Sequence, residues 1–241
     1  MSKCQLRLRV RLQHAVAVLA LGLLSHSATW AAAFQNGSFE TVSPATVLPH
    51  PLFLVGNTNI TGWTVVGGNI NYINDYWSAA DGTRSIDLNG WGVPAGTGSV
   101  GGVSQTFDTE AGHTYQVSFA MSGNFENGVG ISKSMSVLAT GGSAQTYVYD
   151  IPLDQDYDDM HWINLVYTFT ATGTSTTLTF SSLNTGTNYG PVLDNVVVQD
   201  ITTVTTTPTP VAVPTLSPWA LGLLSGGLLA LAGLGRRKRR R

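Results

Sequence analysis

The residues of this chain best suited to chemistry are aromatic rings interleaved with carboxylates and amides. Asp75-Tyr76-Trp77 comes first, then Asp81, Arg84, Asp87, Asn89 and Trp91, with a second group at Asn188-Tyr189. The rings of Tyr76, Trp77, Trp91 and Tyr189 can cover the C–H face of a pyranose, while Asp75, Arg84, Asn89 and Asn188 can bond its hydroxyls. Saccharide contact is the expectation for these eight residues. The alternative is a structural bridge between Arg84 and a carboxylate, with the rings packed into the core. Trp63 is expected in the core, and Trp162 is open to either role.

An acidic run follows at Asp150, Asp154, Asp156, Asp158 and Asp159. Counted from Asp154, an EF-hand loop would need Gly at the sixth position and Glu at the twelfth. The chain has Asp159 and Leu165 there, so a solvated loop is expected, with weak divalent-cation binding as the alternative. Catalysis has little support. His50, His113 and His161 are scattered without metal-ligand spacing, and there is no Gly-x-Ser-x-Gly elbow. The expectation is a protein that is not an enzyme. Paired acids acting on a glycan stay open, because such a pair is spatial rather than sequential.

The elements that must position these residues are strands. Apolar residues alternate with polar ones in Thr114 to Phe119, at Leu165, Tyr167 and Phe169, and at Leu178 and Phe180, a period of two. Thr61 to Val66, Asn69 to Ile73, Ser85 to Asn89, Val103 to Phe107, Met135 to Ala139, Gln145 to Tyr149 and Val192 to Gln199 extend the series. Gly141-Gly142 marks a hairpin turn. Many short strands between Gly- and Asn-rich turns predict an all-β jelly-roll sandwich over residues 34–200, with no helix beyond a turn or two.

Charge separates this centre from its ends. Of the 12 basic residues only Arg84 and Lys133 lie within 34–200, against all 14 acidic ones, a net charge of −12. Such a domain repels phosphate, so nucleic acid is not an expected partner. Lys3, Arg7, Arg9 and Arg11 precede the apolar Ala15 to Leu24, and Ala31-Ala32-Ala33 offers a signal-peptidase site, so residues 1–33 read as a signal peptide. The single cysteine, Cys4, leaves with it, and no disulfide is left to staple the exported domain. Residues 201–212 form a Thr/Pro linker. Leu216 to Leu234 is uncharged and long enough, at roughly 1.5 Å per residue, to span a membrane. Arg236 to Arg241 after it would stay cytoplasmic.

Two family resemblances rest on motifs. Val213-Pro214-Thr215-Leu216-Ser217-Pro218-Trp219, the apolar helix and the basic end resemble the IPTL-CTERM sorting signal of Gram-negative exported proteins. This implies a sorting signal over 213–241, retention in the inner membrane, cleavage by a processing protease and transfer to the cell surface. Asn36-Gly37-Ser38-Phe39-Glu40, Ile60-Thr61-Gly62-Trp63, Asp81 to Gly90 and Asn188 to Val196 resemble, in this order, the choice-of-anchor C domain, itself similar to a plant cell-wall family of unassigned role. The resemblance implies a galactose-binding-like jelly roll and a structural Ca2+ held by Glu40 and Asp194. The combined expectation is a surface-anchored, non-catalytic module that binds polysaccharide. Its alternatives are a matrix protein without a defined ligand and a glycan-acting hydrolase.

Overall fold

A computed structural model of the protein describes residues 32–46, 48–91 and 98–203. All but the last two residues of the expected signal peptide, the apolar helix 216–234, the basic tail and most of the linker lie outside the described residues. Among those described there is no helix, and hence none long and apolar enough to cross a membrane.

The strands are β1 (Leu52–Phe53), β2 (Thr64–Val66), β3 (Ile70–Asn74), β4 (Arg84–Asp87), β5 (Asn89–Gly90), β6 (Ser99–Val100), β7 (Gly102–Asp108), β8 (Thr114–Gly123), β9 (Ser132–Ala139), β10 (Gln145–Asp150), β11 (Ile163–Thr170), β12 (Ser175–Ser182) and β13 (Pro191–Asp200). One sheet runs β1-β3-β4-β13-β8-β11, the other β10-β9-β12-β7-β2, and β5 pairs with β6. Every pairing is antiparallel. From β7 onward successive strands fall in opposite sheets, apart from the β9–β10 hairpin at Gly141, whose φ of 82° suits a glycine.

Alternation decides which side chains enter the core. Val117, Phe119 and Met121 of β8 meet Val137, Leu178 and Phe180 from the other sheet, while Gln116 and Ser118 point away. Phe119 lies edge-on to Tyr147 and Phe180, at 5.1 and 5.2 Å between ring centres, and joins the two sheets. Trp63 is buried in the same core, as expected.

Two strands depart from the expected bounds. Thr61 to Trp63 form a turn through positive-φ Gly62, so β2 begins at Thr64. The stretch Ser85 to Asn89 breaks at Leu88: its amide still donates to the Pro191 carbonyl of β13, but proline has no N–H to return, and the Leu88 carbonyl accepts from Gly101 instead. In β13 the register shifts between Asp194 and Val197, with Asn195 at a φ of 48°. This bulge lets Leu193 and Val196, three positions apart, both face the core.

The outer face of the six-stranded sheet carries the side chains of opposite parity: Asn71 and Ile73 of β3, Ser85 and Asp87 of β4, Val192 and Asp194 of β13, and Ser122 of β8. Two loops fold over it, 75–83 and 151–162. Trp77 and Met160 from these loops bury against Ile73 and Val192 as a second apolar cluster. The loops are tied together by Ser78 N donating to the Tyr157 carbonyl (2.8 Å) and Trp162 Nε1 donating to the Ser78 carbonyl (3.0 Å).

Candidate functional site

A cavity of about 150 Å³ opens on this outer face. Asn71 and Asp87, paired across β3 and β4, form its floor beside Ile73 and Trp77. Tyr76, Trp91, Tyr189 and His50 stand around it as rings, and Asn124, Glu126 and Asn188 supply polar groups. Of the eight residues expected to contact saccharide, five line the cavity: Tyr76, Trp77, Trp91, Asn188 and Tyr189.

The other three stand elsewhere. Asp75 is exposed at positive φ (53°), its amide donating to the Thr83 carbonyl at the neck of its loop. Arg84 shares the parity of Ile86 and therefore lies on the opposite side of the sheet from Asp87. Its guanidinium sits over the Tyr72 ring at 5.5 Å, with Nε 3.9 Å from a Glu40 oxygen. Its Nε and Nη1 are buried without a hydrogen-bond partner among the described residues. Asn89 is buried as a tie, its Nδ2 donating to the carbonyls of Asn184 (2.7 Å) and Thr187 (2.9 Å) in the loop that leads to Asn188.

The floor is a network. Asp87 is fully buried, and its Oδ1 accepts from the amides of Asn89 (2.9 Å) and Gly190 (3.0 Å) while its Oδ2 accepts from Asn124 Nδ2 (2.7 Å). Desolvation outweighs these donors and the nearby Lys133 charge, and pushes the carboxyl up to about 7. Gly190 can approach because it has no side chain; a Cβ there would strike Asn89 Oδ1 and Asp87 Oδ1. Lys133, also buried, donates to Asn127 Oδ1 (3.0 Å) and to the Tyr189 carbonyl (2.6 Å), and its burial lowers its pKa. It thereby holds Tyr189 in the wall without lining the cavity.

The rim is tied through Glu126. Its Oε1 accepts from the Tyr76 hydroxyl (2.6 Å) and the Tyr157 hydroxyl (3.0 Å), and the bond to Glu126 is the main reason the Tyr76 phenol is raised. His50 packs against Tyr76 at 4.9 Å. Asn188 differs from all of these: its Oδ1 is buried and has no hydrogen-bond partner among the described residues. A buried acceptor left unpaired is costly.

Glu40 and Asp194, the expected calcium ligands, converge on one loop. Asp194 is fully buried, with Oδ2 accepting from the amides of Ala80 (2.8 Å) and Asp81 (2.9 Å) and Oδ1 from that of Asn195 (2.6 Å). Desolvation raises its carboxyl to about 7 against these bonds. Glu40 Oε1 accepts from the amides of Thr83 and Arg84, both at 2.8 Å. The two carboxylates therefore clasp the loop that carries Tyr76 and Trp77. Among the described residues no group of three or more His, Cys, Asp or Glu gathers as metal ligands. A Ca2+ here would have to share its carboxylates with amide donors and take most of its oxygens from elsewhere.

The acidic run caps its own turns, with Asp156 Oδ1 accepting from the amides of Asp158 and Asp159 at 2.9 Å each. His50 was weighed only as a metal ligand, and Asn71, Asn124 and Glu126 carried no signal singled out in the sequence. Asn71 was findable, since it alternates with Ile70 and Tyr72. The other three sit in loops, where no periodicity marks them.

Residues 32–199 match the family described as protein of unknown function (DUF642), and residues 211–241 match the IPTL-CTERM motif. The chain is 31% identical over 194 residues, 76% of its length, to halomucin of Haloquadratum walsbyi, and spans 2% of that protein. Among solved structures, TmCBM61 in complex with β-1,4-galactotriose is similar at a TM-score of 0.41 and 17% identity, over 69% of this chain and 97% of that one. The CBM22-1 xylan-binding domain of Paenibacillus barcinonensis Xyn10C is similar at 0.40 and 13%, over 64% and 95%.

Proposed function

The chain belongs to the DUF642 family, and from that premise we propose that it is an exported, surface-displayed, non-catalytic β-sandwich that binds polysaccharide in the cavity on the outer face of its six-stranded sheet. The observation that carries this reading is a single cavity in which the rings of Tyr76, Trp91 and Tyr189 stand beside the polar side chains of Asn124, Glu126 and Asn188. About 150 Å³ is the scale of a cavity that holds one six-membered ring. The IPTL-CTERM match supports delivery to the surface through a processing protease, with the apolar segment 216–234 as the inner-membrane anchor on the way.

The test is affinity electrophoresis and pull-down of the full chain, in a detergent that carries no sugar, on insoluble and soluble polysaccharides. Retention that is lost in Trp91→Ala and Tyr189→Ala supports the reading. No retention on any polysaccharide would sink it and favour a structural matrix protein.

A hydrolase is the second reading, because Asp87 and Glu126 place two carboxyl groups in one cavity. Against it, both oxygens of Asp87 accept bonds from the fold, and one of Glu126 already holds two tyrosines. Release of reducing ends that disappears in Glu126→Gln would establish it. A structural Ca2+ at Glu40 and Asp194 also belongs to the proposal. Its support is their convergence on one loop and the burial of Asp194, whose charge a cation would hold.

A further inference from the structure

The cavity wall has carboxylates but no Lys or Arg side chain among the described residues, although the domain contains one of each. Arg84 is turned to the opposite side of the sheet, over Tyr72 and beside Glu40. Lys133 is spent below the wall on Asn127 and the Tyr189 carbonyl. Residues 92–97, next to Trp91, read Gly-Val-Pro-Ala-Gly-Thr and contain no charged side chain. The wall charges are thus Asp87 and Glu126, set in a domain that itself carries −12.

The hydrogen-bonding character points the same way. Glu126 holds both tyrosines through Oε1, so its second oxygen is a further acceptor at the rim. A sugar hydroxyl can donate to it. An ionised carboxylate or sulfate brings only lone pairs and negative charge to atoms that already have them. A concave site lined by one sign of charge focuses that field on whatever enters.

We propose that the cavity selects an uncharged saccharide, one neutral pyranose ring of a glycan, and rejects uronic-acid and sulfated sugars. This rests on the reading of the cavity as a saccharide site and names the class it takes.

The experiment is calorimetric titration of the full chain near pH 8, in a sugar-free detergent, with two matched sets of probes. One set is uncharged (cello-, xylo- and galacto-oligosaccharides) and the other is oligogalacturonate. The basic clusters at the chain ends could hold a polyanion, so only binding abolished by Trp91→Ala is scored as binding in the cavity. The expected result is an uncharged probe bound at least about tenfold more tightly than oligogalacturonate at low salt. The gap should narrow as ionic strength rises from about 0.01 M to about 1 M, where the Debye length falls from about 30 Å to about 3 Å. Glu126→Gln, which keeps an acceptor for the two tyrosines but removes the charge, should narrow it as well. Trp91-dependent binding of oligogalacturonate as tight as that of any uncharged probe would overturn the selectivity and leave the saccharide reading standing. A ratio unmoved by Glu126→Gln would overturn its electrostatic cause. Failure of every probe in both sets would overturn the saccharide reading itself.

Discussion

Trp91 and Asn188 stand apart from the other cavity residues because their side chains have little else to hold. Trp91 is 47% exposed and Asn188 Oδ1 is unpartnered among the described residues. Trp91→Ala should therefore leave stability within about 0.5 kcal/mol, as surface changes do. Its saccharide affinity should drop by about 1–2 kcal/mol, the cost of truncating an aromatic anchor. Thermal melting beside calorimetric titration checks both halves.

Asp87 behaves otherwise, because its burial makes it a pH-dependent part of the fold. Its folded pKa, about 7, lies above the usual aspartate value near 3.9, so between these the folded state keeps a proton that the unfolded chain has released. The stability linked to it is complete below about pH 4 and is lost as pH rises through about 7. Asp194, also raised to about 7, acts in the same direction. The melting temperature should fall between pH 5 and pH 8, and Asp87→Asn should flatten that fall even though it disturbs the bond from Asn124. A slope identical to that of the unaltered protein would refute the assignment.

At this scale the rings of the site were legible, since Tyr76, Trp77, Trp91 and Tyr189 all reach the cavity. The place of Arg84 also follows from parity: two residues from Ile86, it must share the core side of β4, away from Asp87. Glu126 and His50 were not, because only the packing of three loops brings them to the rim.

The loop 75–83 is the element on which the site depends. It has no partner strand, so beside the burial of Trp77 and the ties of Ser78 to loop 151–162 its position over the sheet rests on the amides that Glu40 and Asp194 hold at its base and crown. Asp194→Ala would leave the part-buried amides of Ala80 and Asp81 without their acceptor, a loss on the order of 1 kcal/mol for each bond. The variant should melt earlier and also bind saccharide more weakly, because Tyr76 and Trp77 ride on the loop. Chelation separates the two accounts of this clasp. If Ca2+ takes part, a chelator lowers the melting temperature of the unaltered protein, and Glu40→Ala or Asp194→Ala removes the difference. If the amides suffice, the chelator changes nothing while both variants still melt earlier.

The strands around this loop were readable from period two alone. β8 and β12 alternate so regularly that their inward sets, Val117-Phe119-Met121 and Leu178-Phe180, follow from counting. What sequence could not convey is the bulge at Asn195. Its shift of one residue exchanges the faces of β13 midway and puts Asp194 under the loop while Val196 enters the core. The two-residue strands β1, β5 and β6 are too short to show any period.

On the scale of the whole molecule, charge and hydropathy divide the chain more sharply than the fold does. The sandwich has no cysteine, so its cohesion rests on the core that Phe119, Phe180 and Trp63 knit between the sheets. Phe119→Ala should cost about 3–5 kcal/mol and lower the melting temperature without a change in the beta-type far-ultraviolet spectrum below it. The ends are where an address is expected. The motif matched at 211–241 suggests sorting at the C-terminus, and the proposal adds a signal peptide at residues 1–33. The full chain expressed in its own cell should therefore yield a mature species whose intact mass lacks residues 1–33 and everything beyond a cut near Val213. Neutral replacements at Arg236 to Arg241 should remove the positive-inside signal and leave precursor of higher mass in the membrane fraction. A mature mass and location identical with and without those arginines would mean that the basic tail has no part in sorting, and delivery would then have to depend on the N-terminal signal alone.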